Sequence, residues 1–395
     1  MDAGAAARPY DVVLFGATGF VGELTARYLA EHAPSGCRWA LAGRSRGKLT
    51  ALRDRLAQRW PRCAELPLVV ADSADPEALR ELAVSARVVA STVGPYVWYG
   101  EELVAACAEA GTDYLDLTGE AEFVDRMYVR HDARARETGA RLVHACGFDS
   151  VPHDLGVYFT VQQLPEGVPL RIDGFVRAGA IFSGGTFASA LTAFGRGRQI
   201  LRAAHERRLH EPRLVTRRAH APLGGPRFSR ETGTWALPLP TIDPQVVARS
   251  AAALDRYGPD FRYRHYASVK TLPMALGGAA VVGTGVLAAQ LPFVRSWLID
   301  RYEPGSGPSE ERRARSWFTV RFVGEGGGRR VFTEVSGGDP GYDETAKMLA
   351  ESALCLALDD LPKTSGQVTT AAAMGDALIG RLRTAGLRFR VAHAG

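Results

Sequence analysis

Sulfur is scarce in this chain and shows no pattern. Five cysteines, Cys37, Cys63, Cys107, Cys146 and Cys355, are scattered through 395 residues with no C-x-x-C pair. An odd, dispersed set excludes a disulfide framework and a zinc site, and points to reduced thiols in a cytoplasmic compartment. The nine histidines are isolated from one another, so no metal-ligand spacing appears and no metal is expected. No G-x-S-x-G nucleophile elbow occurs. Met1–Arg8 is short and polar and lacks an apolar stretch, so a signal peptide is not expected. Helix-turn-helix and finger patterns are missing, and no basic stretch is interleaved with aromatics, which speaks against nucleic acid.

Charge is missing altogether from Thr271–Val294. Met274–Leu291 is an 18-residue run, mostly Ala, Val, Leu and Gly, with Arg264 and Lys270 before it and Arg295 and Arg301 after it. Its length is at the low edge for a membrane span. Two other readings stay open: a buried helix lining a substrate cavity, and an interfacial helix in peripheral contact with a membrane. Positive charge gathers elsewhere. Between Arg196 and Arg230 lie ten arginines against Glu206 and Glu211. Such a stretch is either a solvated face or a docking surface for something anionic, such as a carrier protein, a membrane or a phosphate.

Apolar runs and helical segments alternate through the first part of the chain. Val12–Phe15, Arg38–Ala42, Leu66–Val70, Arg87–Ser91, Tyr114–Leu117 and Arg141–Ala145 read as buried strands. Helical spacing fills the gaps at Thr18–Glu31, Arg46–Arg59, Pro76–Ala83, Glu101–Ala110 and Glu120–Thr138. This rhythm predicts an α/β domain with a doubly wound parallel sheet over residues 1–152. After Pro152 the rhythm changes. Arg171–Arg177, Trp317–Val323 and Val331–Val335 alternate like half-buried strands, the last two joined at Gly326–Gly328. A second α+β domain with a mainly antiparallel sheet is therefore expected over 153–340, including the uncharged segment 271–294. The amphipathic helix Asp343–Asp359 is expected to lead residues 341–395 back to the first domain.

The chemistry begins at Gly16-Ala17-Thr18-Gly19-Phe20-Val21-Gly22, which follows a strand and opens a helix. The glycines permit a tight turn and close approach of the backbone to a pyrophosphate. The helix start offers free N–H groups and a favourable dipole. The second strand ends Ala42-Gly43-Arg44-Ser45-Arg46, with Lys48 close behind. No carboxylate stands where a ribose 2′-hydroxyl would be held. Arg44 suits a 2′-phosphate by a charge-assisted contact, and Ser45 and Lys48 add a donor and a charge. The cofactor is therefore read as NADP(H). Asp72 either holds the adenine amine or serves a turn or helix cap before Pro76. Val93, Gly94 and Pro95, followed by Tyr96, form the fourth strand's crest, where the nicotinamide ribose would run.

Together these blocks resemble a known group. The chain is similar to the saccharopine dehydrogenase-like oxidoreductases and, within them, to the actinobacterial trans-acting enoyl reductases. The resemblance rests on GATGFVG at Gly16–Gly22, AGR at Ala42–Arg44, VGPY at Val93–Tyr96 and YGEELVAACAEAGTDYLDLTGE at Tyr99–Glu120. It continues through CGFDSVPHDLG at Cys146–Gly156, SGGT at Ser183–Thr186 and GDPGYDETAKMLAE at Gly338–Glu351. It implies a Rossmann domain with an α/β substrate domain, NADPH as cofactor, and reduction of an α,β-double bond on a polyketide or fatty acyl chain. It also implies that a separate synthase makes that chain, which an acyl carrier protein or polyketide synthase would present.

For such chemistry Tyr96 and Asp149 are the candidate catalytic residues, each with a bland alternative as a packing side chain or a turn-former. His153 is either a proton donor or a satisfied histidine. Tyr266-Ala267-Ser268-Val269-Lys270 matches Y-x-x-x-K, but it lies well past the Rossmann domain and is read as a coincidence. Imine or ketone reduction remains an alternative. So does a membrane-associated protein that binds NADPH without turnover. The oligomer is left open, a homodimer being one option.

Overall fold

The computed structural model describes residues 8–179, 196–212, 217–274, 276–277 and 307–394. In chain order the first elements are β1 (Tyr10–Phe15), α1 (Phe20–His32), β2 (Trp39–Gly43), α2 (Arg46–Arg59), β3 (Leu68–Val70), α3 (Pro76–Ser85) and β4 (Ala86–Ser91). Next come α4 (Tyr96–Tyr99), α5 (Glu101–Ala110), β5 (Asp113–Asp116), α6 (Ala121–Thr138), β6 (Arg141–Val143), α7 (Val151–Val161) and β7 (Leu170–Ala178). The middle holds α8 (Gly197–His210), β8 (Arg218–His220), β9 (Arg227–Ser229), β10 (Thr234–Pro238), α9 (Asp243–Ala253) and β11 (Asp260–Val269). The chain closes with α10 (Glu310–Ala314), β12 (Phe318–Gly326), β13 (Arg329–Gly337), α11 (Asp343–Leu358), β14 (Gly366–Val368), α12 (Thr370–Ala373), α13 (Gly375–Thr384) and β15 (Arg388–Ala394).

These elements form two compact units. One comprises Met1–Thr118, Phe123–Gly147 and Tyr342–Arg381. Its seven strands run in the order β14-β6-β5-β4-β1-β2-β3, and every neighbouring pair is parallel. The strands earn this arrangement by composition. Trp39–Gly43 is buried at every position, as a strand covered on both faces must be. Local signals set the helix ends. Asp75 caps α3 by accepting from the Glu77 and Ala78 N–H groups, with Pro76 in the first turn. Gly111 ends α5 at φ 65°, a left-handed turn that glycine adopts without strain.

The other unit comprises Gly119–Glu122, Phe148–Gly341 and Leu382–Gly395. Its mixed sheet runs β15-β13-β12-β7-β11-β10-β9, with β8 paired to β11. Pairing is antiparallel except that β11 lies parallel to β7 and β8. Helix α7 packs on β12 and β13, and α9 packs on β11 and on α7. Their approach is close: a Cβ on Gly156 would lie 2.4 Å from the Phe322 ring. Phe318, Val320, Phe322, Val331 and Val335 form the buried face beneath.

The end of the chain divides between the two sheets. Strand β14 joins β6, whereas β15 joins β13. The expectation that all of 341–395 returns to the first domain is therefore corrected for Leu382–Gly395. The reason lies in the strand itself. Phe389 is buried, while Arg390 reaches the Glu334 carboxylate across the pair. Most of Thr271–Val294, and all of Ser183–Thr186, lie outside the described residues. Among the described residues, no helix is long and apolar enough to cross a membrane.

Candidate active site

The glycine loop sits between the ends of three strands. Gly16 and Ala17 both donate their backbone N–H to the Ala42 carbonyl, at 2.9 and 3.1 Å. Thr92 Oγ1 donates to the carbonyls of Phe15 and Gly16, at 3.2 and 3.0 Å. The loop is thus tied to the end of β2, from which Arg44 emerges, and to the crest after β4. Gly16 is needed twice over. Its φ is +84°, and a Cβ there would lie 2.7 Å from Thr92 Oγ1 and Val93 Cγ2. Gly19 is the N-cap of α1, and no side chain caps that helix. Its N-terminal dipole is therefore available to an anion.

Arg44, Arg46 and Lys48 are exposed, and among the described residues none has an ion-pair partner. Three solvated cations at the mouth of a glycine cradle, with no carboxylate among them, fit a phosphorylated ribose. Ser45 is the N-cap of α2 and accepts from the Lys48 N–H at 3.4 Å. Its hydroxyl oxygen serves the helix, leaving its proton for a ligand. Asp72 accepts from the Ala74 N–H at 3.0 Å through Oδ1, the turn reading of the sequence; Asp75 is the cap.

Tyr96 is buried at the start of α4. Its hydroxyl donates to the Ser91 carbonyl at 3.1 Å and accepts from the Leu117 N–H at 3.2 Å. It therefore ties β4 to the end of β5. Beside it lies a pair that sequence reading did not single out. His144 Nδ1 stands 2.6 Å from Asp116 Oδ2, both side chains being almost wholly buried. Asp116 Oδ1 accepts from the N–H groups of Thr118 and Ala145, at 3.0 and 2.9 Å. Ala145 follows at φ 59°, a left-handed conformation rare outside glycine. A carboxylate and an imidazole at the ends of neighbouring strands were the available signal.

In the other unit Asp149 is half-buried. Burial, helped by the charge of Asp243 and opposed by His153, pushes its carboxyl up to about 6. His153 is buried too, with Nδ1 2.7 Å from Asp243 Oδ1. It is a histidine held by a carboxylate rather than a surface one. Burial would raise the Asp243 carboxyl, yet His153, His265 and the Thr241 hydroxyl together hold it below its ordinary value. Burial drives His265 well below the usual imidazole range, despite the nearby Asp243 charge.

The isolated spacing of the histidines in sequence is thus misleading. Folding brings His153, Asp243 and His265 from α7, α9 and β11 to one place. The signal for His265 was legible: Phe261, Tyr263 and His265 alternate on the buried face of β11 while Arg262 and Arg264 face out. The same strand disposes of the Y-x-x-x-K match. Tyr266 is buried, stacked on Phe175 at 5.5 Å with the Arg227 guanidinium over its ring. Lys270 is exposed beyond the strand's end. Four residues apart on an extended chain, the two are roughly 13 Å distant and cannot act as a pair.

The arginine-rich stretch is partly structural. Arg196 pairs with Glu122 by two contacts of 2.7 Å. Arg207 pairs with Glu211, Arg217 with Asp255, and Arg227 with Asp173. Arg198, Arg202 and Arg208 on α8 remain exposed.

A glycine cradle at a helix start and unpaired cations after β2 define a class, the NADP(H)-binding Rossmann oxidoreductases. Residues 12–143 match the saccharopine dehydrogenase NADP-binding domain. The chain belongs to the trans-acting enoyl reductase family. A Mycobacterium tuberculosis protein provisionally named as such is 40% identical over 415 residues, 96% of this chain and 97% of that one. The Mycobacterium ulcerans trans-acting enoyl reductase is 37% identical over 417 residues, 97% of each chain. Apo saccharopine dehydrogenase (L-Glu forming) from Saccharomyces cerevisiae shares the fold, with a TM-score of 0.56 at 12% identity, over 97% of this chain and 99% of that one. The chain is an NADPH-dependent oxidoreductase.

Proposed function

We propose that this protein reduces the α,β-double bond of a polyketide or fatty acyl chain made by a separate synthase and presented as a thioester. The observation that carries this reading is similarity over nearly the whole chain to proteins named trans-acting enoyl reductases. When bound, NADPH supplies the hydride for the β-carbon. Gly16, Ala17, Thr18, Gly19, Phe20, Val21 and Gly22 would cradle its pyrophosphate, and Arg44, Ser45 and Lys48 would take its 2′-phosphate. Asp72, beyond its turn, would be the residue to meet the adenine, and Val93, Gly94 and Pro95 would border the nicotinamide ribose.

Of the two candidate catalytic residues, Asp149 suits the proton transfer better. Desolvation, with the charge of Asp243, raises its carboxyl to about 6, which keeps it protonated into mildly acidic solution. It would pass that proton to the α-carbon and regain one from water. The Tyr96 hydroxyl proton is engaged by the Ser91 carbonyl, which suits a tyrosine that fixes the crest. The exposed arginines of α8 suit an acidic carrier domain. Leu272, Met274 and Leu276 are exposed where the uncharged segment begins, which suits a lipid-like acyl chain. Flotation with liposomes tests a membrane contact there.

The direct test follows NADPH oxidation with α,β-unsaturated acyl thioesters, using NADPH deuterated at the transferred position. The expected product is two mass units heavier than the substrate with unlabelled cofactor; with the labelled cofactor it gains one more, as deuterium at the β-carbon. Deuterium at a former carbonyl or imine carbon, or no oxidation across a panel of unsaturated acyl chains, overturns the reading. Asp149→Asn is expected to lower kcat far more than Tyr96→Phe.

A further inference from the structure

The second unit contains a buried cluster that hydride transfer does not require. His153 stands in the first turn of α7, Asp243 begins α9, and His265 lies midway along β11. Their side chains are only 1–3% exposed. His153 Nδ1 lies 2.7 Å from Asp243 Oδ1, and His265 Nε2 lies 3.7 Å from Asp243 Oδ2. The first contact is an ion-pair contact, whereas His153 Nε2 and His265 Nε2 have no hydrogen-bond partner among the described residues. Potential ligand atoms of the three residues lie within 4.8 Å of one another. Leaving buried polar atoms unsatisfied costs roughly 1–3 kcal/mol each, and more where charge is involved. A fold that buries two such imidazole nitrogens around one carboxylate has donor atoms to spare for a ligand.

The rest of each side chain is already fixed. Tyr263 Oη lies 2.7 Å from His265 Nδ1. When Nδ1–H donates to that oxygen, the Nε2 lone pair faces the cluster. Thr241 Oγ1 donates to Asp243 Oδ2, so Oδ1 faces the cluster beside His153. The Phe148 ring packs edge-on against His153 at 5.3 Å, and the His153 and His265 rings meet edge-on at 5.0 Å. This is how metal ligands are oriented by a second layer of contacts.

We propose that His153, Asp243 and His265 form a binding site for a divalent first-row transition metal, zinc by the chemistry of its donors. Two imidazoles and a carboxylate are a donor set zinc accepts, with a water completing the tetrahedron. Bonds of about 2.0–2.1 Å put tetrahedral donors roughly 3.3 Å apart. One ligand atom of each residue lies within 4.8 Å of the others, so side-chain rotations would close the site. All three residues belong to one compact unit, so the site needs nothing from the dinucleotide domain.

The test uses the full chain, stripped with a chelator and titrated with cobalt(II) chloride. Cobalt reports tetrahedral N/O coordination by intense visible d–d bands. The expected result is one cobalt per chain, bands that zinc abolishes on displacement, and a melting temperature raised by zinc. His265→Gln, His153→Gln and Asp243→Asn are each expected to weaken cobalt binding at least about tenfold, since each removes one of three ligands. If a variant fails to fold, the wild-type titration still decides. Only trace cobalt on the wild-type chain, bound cobalt without tetrahedral bands, or undiminished binding by folded variants overturns the assignment.

Discussion

A Cβ placed on Gly22 would lie 2.2 Å from the carbonyl oxygen of Gly16. That carbonyl also accepts from the Gly19 N–H and from Thr92 Oγ1. The third glycine of the motif therefore exists because the first turn of α1 folds directly over the loop. Neither side can yield cheaply, since the clash is with backbone.

Gly22→Ala should accordingly damage both stability and binding. Relieving the clash means shifting α1 or the loop, a rearrangement costing about 1–3 kcal/mol or more. The expected outcome is a lower melting temperature without cofactor and an NADPH Kd raised at least about tenfold, read by fluorescence titration. An unchanged Kd would show that the cradle binds no pyrophosphate.

Arg44 tests the cofactor's identity. It is exposed and unpaired, so its removal leaves the fold unharmed. A charged hydrogen bond contributes about 1.5–3 kcal/mol, which is roughly a 10–100-fold change in affinity. Arg44→Ala is therefore expected to weaken NADPH by that factor and NADH hardly at all. Parallel titrations with the two cofactors check it, and equal losses would place Arg44 away from the 2′-phosphate.

How much of this was legible in the sequence follows from where the information lies. The parallel sheet was readable because Val12–Phe15 and Trp39–Ala42 are continuous apolar runs, and Gly16–Gly22 has local meaning at a strand–helix junction. The second sheet was read only in part. Strand β11 alternates plainly, with Phe261, Tyr263 and His265 on its buried face, but alternation says nothing of what His265 meets there. Strands β8 and β9 of that sheet, like β14 of the parallel one, span only three residues each, too short for a period to register. The His153–Asp243–His265 cluster could not be found by spacing, because its members come from three distant elements.

The C-terminal segment supplies a pH test. Arg381 on α13 grips Asp359, at the end of α11, by two contacts of 2.6 Å and reaches Glu351 at 3.2 Å. Burial would raise the Asp359 carboxyl, but Arg381 outweighs it and holds the group below its ordinary 3.8. The sign follows from proton binding. Above 3.8 both states are ionised and the pair contributes fully. As pH falls from there towards the lower folded value, the unfolded chain takes up the proton first and that stability is lost. Arg381→Met should cost about 1–3 kcal/mol at pH 7 and progressively less in strong acid, read from urea midpoints. A cost independent of pH would assign it to lost packing instead.

The Asp116–His144 pair distinguishes charge from shape at the crest of the dinucleotide sheet. Asp116 uses one oxygen for two backbone N–H groups and the other for His144 Nδ1. Asp116→Ala strands all three donors in a site without water access. Its cost should reach the 3–5 kcal/mol of a broken buried pair. Asp116→Asn keeps the oxygen that serves Thr118 and Ala145 but turns an amide N–H₂ towards Nδ1. The imidazole can then move its proton to Nε2 and accept at Nδ1. Nε2 has no partner among the described residues, so that tautomer buries an unsatisfied N–H at about 1–3 kcal/mol. Asp116→Asn should therefore be clearly milder than Asp116→Ala, and NMR of the imidazole nitrogens should show the proton moved to Nε2. Equal destabilisation by the two variants, with the proton still on Nδ1, would mean that the pair's charge rather than its hydrogen-bond pattern holds the ends of β5 and β6 together.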